Sequence, residues 1–199
     1  MTNLCLFLLL ILSTSSFADT YQVFFQKGKV EIFRNKKLAS PPVLPGDVIK
    51  VHKGSLLVLK SPQETLKIMH DTVITPREDK EGTIIEMVRG AVVAQVTKKN
   101  FKIKTSASSF GVRGTQFFVQ VNGPDDQWMC VNEGVVNVTS SSKSIDVPAG
   151  KGVFVDKKSV STPKAYAWTK GINWKMDAKE GSLEHKINLN YDVLENFYD

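Results

Sequence analysis

Short runs of β-branched and aliphatic residues recur along this chain at spacings of roughly ten residues, each closed by turn-forming residues. Val23–Phe25, Val30–Phe33, Val48–Val51, Leu56–Leu59, Leu66–Met69, Ile84–Val88 and Val92–Val96 are such runs, punctuated by Lys27-Gly28, Pro45-Gly46-Asp47, Lys53-Gly54 and Ser61-Pro62. Further on, Phe101, Ile103 and Thr105 alternate with Lys102 and Lys104, which predicts a half-buried strand with one apolar and one basic face. Gly111-Val112-Arg113-Gly114-Thr115 then leads into the alternation of Phe117, Val119 and Val121. Two glycines bracketing an arginine predict a hinge where the chain bends sharply between two strands before re-entering the sheet. Glu133-Gly134 introduces another strand at Val135–Thr139. Helix signals are scarce, so the pattern predicts an all-β domain: a sandwich, a barrel or an irregular stacked β-coil.

The openings of three segments echo one another: Gly28-Lys29-Val30, Gly90-Ala91-Val92 and Gly134-Val135-Val136. Their unequal offsets do not support a solenoid of fixed period. Repeated use of one hairpin unit and the plain commonness of Gly-x-Val in β proteins both account for the echo. After Val160 the character changes. Tyr166, Trp168, Trp174, Tyr191, Phe197 and Tyr198 mix with Lys164, Lys170, Lys175 and Lys179. A tail of this kind is expected to pack its rings on the edge of the preceding domain while the lysines stay in water; a binding strip for nucleic acid or glycan is the alternative. Asn190–Phe197 has the spacing of a helical turn or two, with Val193, Leu194 and Phe197 on one side.

Taken in order, these motifs resemble the FecR-type extracytoplasmic domain. The residues that carry the resemblance are Phe101–Thr105, Gly114-Thr115-x-Phe117 and Glu133-Gly134-x-Val136, preceded by Gly28–Ile32, Pro45-Gly46-Asp47-x-Ile49 and Arg89-Gly90-Ala91. It covers roughly Tyr21 to Val155. The resemblance implies a FecR-like β-domain over 19–160, with 161–199 as a C-terminal tail. Regulators of this family that act as anti-sigma factors carry a cytoplasmic segment and a membrane helix ahead of the exported domain. No segment of this sequence after the first apolar run approaches the length of such a helix, and that departure puts the family's best-known role in doubt.

Leu4–Leu12 is an uninterrupted apolar run, and Ser16-Phe17-Ala18 has the small-x-small form of a cleavage site. No Lys or Arg precedes Lys27, so the basic n-region is missing. The expectation is a signal peptide over 1–18, a mature chain from Asp19, and a periplasmic or secreted location. Cys5 lies in the apolar stretch rather than after it, which argues against a lipid anchor. Cleavage would leave Cys130 alone, expected buried and inert. The net charge of +6 favours anionic partners such as headgroups or cell-wall polymers, nucleic acid being the least expected in an exported protein. Lys98, Lys99, Lys102 and Lys104 form the densest basic cluster, with Lys98 expected in a turn; the cluster could also protect a strand edge.

Catalytic chemistry is not visible. His52, His70 and His185 are far apart, each with one nearby acid (Asp47, Asp71 and Glu184), and no metal-ligand spacing is present. Ser106–Ser109 and Ser140–Ser144 lack a nucleophile elbow and read as loops. Gly111–Gly114 is followed by a strand, whereas a phosphate loop opens a helix. Arg113 could present its guanidinium to a carboxylate or phosphate ligand, or pair with Glu133 across adjacent strands and pin the turn.

Arg113, Lys102 and Lys104 are therefore the candidate binding residues. Gly111, Gly114, Thr115, Phe117, Glu133 and Gly134 are the structural motif, and no cofactor, metal or catalytic residue is expected. The leading expectation is a non-catalytic envelope module that binds a protein or cell-wall component through strand edges or loops. Two others stand beside it: a sensory domain acting in trans on a membrane-bound sigma/anti-sigma system, and an undetected enzyme.

Overall fold

The computed structural model describes residues 20–141, 143–166, 169 and 172–176. The expected signal peptide, His185 with Glu184, the helical turn near the C-terminus, Trp168, Lys170, Lys179, Tyr191, Phe197 and Tyr198 lie outside them. Among the described residues, thirteen strands form one open sheet in which every pairing between strands is antiparallel. They are β1 (Gln22–Lys27), β2 (Val30–Arg34), β3 (Lys37–Leu38), β4 (Val48–Val51), β5 (Leu56–Lys60), β6 (Glu64–Ile68) and β7 (Thr72–Asp79). There follow β8 (Gly82–Lys104), β9 (Ser108–Gly123), β10 (Asp126–Glu133), β11 (Val135–Ser140), β12 (Lys143–Pro148) and β13 (Gly152–Val155).

The all-β expectation holds, but three predicted strands are in fact one. Ile84–Val88, Val92–Val96 and all but the last residue of Phe101–Thr105 belong to β8, which runs on through Lys98 where a turn was expected and ends at Lys104. β8 is the spine of the sheet: it pairs with β7 through its first part, with β6 at Val92–Val96, and with β9 from Gly90 to Lys104. It curls enough that Gly82 abuts Asn100 and Glu81 reaches Lys102. Five strands, β3, β7, β10, β12 and β13, escaped the sequence reading, and β12 opens inside the serine run 140–144 that was read as a loop. β7 holds Pro76, a residue that argues against a strand, but β4 pairs only with residues 72–74, so the missing N–H falls past the end of that ladder. β10 carries apolar residues on both faces, so it shows no alternation.

Side chains of one sheet face converge into the main core. Leu57, Leu59, Leu66, Ile68, Ile74, Ile85, Phe101, Ile103, Phe110, Phe117, Val136 and Val147 meet there fully buried. Burial of each of the larger ones contributes about 1.5–3 kcal/mol relative to exposure. At the N-terminal end, Tyr21 bridges Val43 through two backbone hydrogen bonds, and its buried hydroxyl donates to the Glu64 carboxylate.

The opposite face of β6, β8, β9, β10 and β13 is also covered. Met69, Ala91, Val93, Phe118, Trp128 and Cys130 form a second apolar cluster that includes Ile172, with Phe154, Tyr166, Trp174 and Met176 packed against it. The register explains this layout. Lys67, Val93, Phe118, Cys130 and Gly152 lie directly opposite one another across five strands, and Gln120, Trp128 and Phe154 form part of the next row. Tyr166 and Trp174 therefore lie on a sheet face where an edge was expected, while Lys164 and Lys175 are exposed.

Candidate functional site

The glycine hinge proves to be a bend within β9. The reversal between the Phe101–Lys104 segment and the next strand is made at Thr105–Ser108, where the Thr105 N–H donates to the Ser108 carbonyl. Past that turn, β9 pairs with β11 over residues 108–112 and with β10 over 116–123. The exchange of partners occurs at Arg113–Thr115, and β8 answers it with register shifts around Lys99, next to Asn100 at φ 67°. Gly111 is not part of the corner; it is an ordinary extended residue between Lys102 and Asn137.

The corner closes where the two glycine motifs meet. Gly114 has φ 65° with open space where a Cβ would sit, whereas Gly134, at φ 83°, would place a Cβ 2.6 Å from the Gly114 carbonyl oxygen and 2.5 Å from Thr115 Cγ2. Thr115 is buried, and its hydroxyl has no protein partner among the described residues. Phe117 stands edge-on to Phe101 at 6.3 Å between ring centroids. Glu133 is exposed and faces Gln116 in register; no ion pair joins it to Arg113 among the described residues. The corner is instead closed by the tight packing of Gly134 on Gly114 and Thr115.

The three candidate binding residues occupy the exposed side of β8 and β9. Lys102 opposes Gly111 and Lys104 opposes Ser109, while Arg113 lies on β9 opposite Lys99. Lys102 is engaged, its Nζ donating to Glu81 at 2.7 Å, which raises its pKa. Lys104 and Arg113 are exposed and show no ion pair among the described residues. Beyond Gly111 and Ser109 the face continues as a polar ladder of Asn137, Asp146, Thr139 and Ser144, linked by hydrogen bonds of 2.7–3.2 Å.

A more organised site lies on the covered face, and the sequence reading missed it. Lys67 on β6 is fully buried, and its Nζ donates to the carbonyls of Asn173, at 2.7 Å, and Lys175. Burial pushes its pKa down to about 8. Two strands away, Gln116 Nε2 donates to the Trp174 carbonyl at 2.7 Å, while Asn132 Nδ2 donates to Gln116 Oε1 at 2.6 Å and holds that amide in place. One signal was available: Lys67 sits between Leu66 and Ile68 in a run otherwise read as apolar.

Two other sequence candidates take different roles. Asp47, named as the acid near His52, instead accepts a two-pronged bond from Arg34, at 2.9 and 2.7 Å, and the Leu44 N–H at 2.8 Å. Burial pushes the Asp47 carboxyl up, but these donors outweigh it and hold the pKa below the ordinary value. The acid beside His52 is Glu31, at 2.7 Å. His70 does meet Asp71, at 3.3 Å. No group of three or more His, Cys, Asp or Glu side chains converges among the described residues. Cys130 is buried under the second cluster, and burial raises its thiol pKa well above the usual range.

The class that these features define is an all-β domain organised around a bent central strand pair, its glycine motifs spent on the corner. Residues 47–137 match the family model described as FecR protein, the family to which the ordered motifs pointed. Two crystal structures of a protein described as "a putative anti-sigma factor", from Parabacteroides distasonis ATCC 8503, share the fold. One has a TM-score of 0.52 at 18% identity, covering 62% of this chain and 63% of that one. The other has a TM-score of 0.54 at 16% identity, covering 62% of each. This chain thus spans a little under two thirds of their length. No curated protein matches the sequence.

Proposed function

We propose that the chain is a non-catalytic FecR-domain module of the cell envelope that works in signalling by binding another protein. The FecR domain itself carries this reading. The motif residues Gly114, Thr115, Phe117 and Gly134 are committed to the corner and the core, which leaves the faces and edges of the sheet for recognition. Export through the segment 1–18 supplies the envelope setting. The partner is a protein rather than a nucleic acid, held by backbone and side-chain contacts rather than by charge alone.

Within this reading, the fold shared with the Parabacteroides protein supports a sensory role, in which the domain acts in trans on a membrane-bound sigma/anti-sigma system, at least as well as it supports a scaffold. Deletion of the gene with transcript profiling separates the two. A sensor changes a small set of transcripts and a scaffold changes none. Recovery of no specific protein on full-length tagged bait, from native envelope extract, would overturn both.

A further inference from the structure

The segment 172–176 is held like a ligand. Ile172, Trp174 and Met176 face the second apolar cluster, whereas Lys175 between them is exposed. An extended chain turns alternate side chains to opposite faces and alternate carbonyls to opposite edges. The anchors follow that alternation: Lys67 takes the carbonyls of residues 173 and 175 from one side, and Gln116 takes that of 174 from the other. The segment therefore lies flat over β8, between β6 and β9, with Val93 and Phe118 in the row beneath it. Every anchoring bond named here goes to a main-chain carbonyl, which any residue supplies. What the face reads by side chain is an aliphatic residue, an aromatic and an aliphatic at every second position.

We infer that the outer face of β6, β8, β9 and β10 is a groove for an extended peptide of the pattern aliphatic-x-aromatic-x-aliphatic, and that residues 172–176 are its built-in occupant, displaced by a partner's segment of that pattern. Lys67 is the marker of the groove. It is a fully buried ammonium with no acidic partner among the described residues, satisfied by carbonyls that leave when the segment leaves. The inference deepens the protein-binding reading by naming the surface and the partner's chemistry. A module that binds by a strand edge would fail this test and still satisfy the earlier one.

The test uses the full chain and a fluorescently labelled peptide copying residues 170–178. The tethered occupant competes at high effective concentration, so the unaltered chain should bind the peptide weakly. Trp174→Ala, which weakens the occupant, should bind it saturably and about tenfold or more tighter by anisotropy. Adding Lys67→Met to Trp174→Ala should remove that gain. A folded Trp174→Ala chain without saturable binding overturns the inference, as does binding indifferent to Lys67. Should Trp174→Ala not fold, hydrogen exchange on the unaltered chain decides. Amides of 172–176 must open well before those of β8 and β9, and opening only with global unfolding overturns the inference. Elution of the unaltered chain as a dimer that exchanges this segment would put a second copy in the groove and overturn the assignment to a partner.

Discussion

Replacing Gly134 by alanine adds one methyl group at the tightest point of the corner. A residue with a Cβ held at φ 83° costs about 1–2 kcal/mol in the left-handed region. The new methyl carbon would also lie 2.6 Å from the Gly114 carbonyl oxygen and 2.5 Å from Thr115 Cγ2. The first is backbone and the second belongs to a buried side chain, so neither can retreat cheaply, and overpacking adds about 1–3 kcal/mol. The expected loss is about 2–5 kcal/mol. Gly114→Ala is the internal control: it has φ 65° but nothing within 4 Å of the added carbon, so only the conformational cost of about 1–2 kcal/mol applies. Urea unfolding of the two variants and the parent, read by far-UV circular dichroism, gives both values on one scale. Equal losses at the two positions would refute the packing argument. A parent-like midpoint for Gly134→Ala would refute the corner itself.

Gly114→Val, with a β-branched side chain at φ 65°, should cost more than about 1 kcal/mol in the same unfolding assay. Asp47 has a depressed folded pKa, so its contribution is present above the unfolded value near 3.9 and is lost as pH falls through the folded value. Asp47→Asn should therefore lower stability at neutral pH by about 1–2 kcal/mol and flatten the acid limb of the stability curve. Lys67 behaves in the opposite sense. Its folded pKa of about 8 lies below the usual 10.5, so the unfolded chain binds more protons between these values and stability rises with pH across that window. Lys67→Met should remove that rise, and a slope unchanged by the substitution would show that Lys67 is solvated. Cys130 should react with a maleimide faster in Trp174→Ala than in the parent, because the segment carrying Trp174 packs on the cluster that buries the thiol.

Much of the fold could be read from the sequence, because its half-buried strands alternate: β11 shows this plainly, with Val136 and Val138 buried and Val135, Asn137 and Thr139 exposed. The reading failed where both faces are covered. In β10, Trp128 and Cys130 serve one cluster while Met129 and Val131 serve the other, so the period of two disappears; Val92–Val96 in β8 is divided in the same way and was legible only as an unbroken apolar run. The corner glycines were legible as a bend, but not as a bend inside one strand, since partner exchange is a property of three strands at once. Arg113 attracted notice because it lies between glycines. Lys67 did not, because its role depends on carbonyls more than a hundred residues away.

The central proposal is that this chain acts by binding a protein. Cross-linking in intact cells of the native host, followed by purification of the full-length tagged chain and mass spectrometry, tests it directly. One envelope protein should be recovered reproducibly and in near-stoichiometric amount, and its cross-links should lie on a face or edge of the β-domain. Recovery of no protein above the untagged control, across replicates in which the chain is folded and abundant, would contradict it.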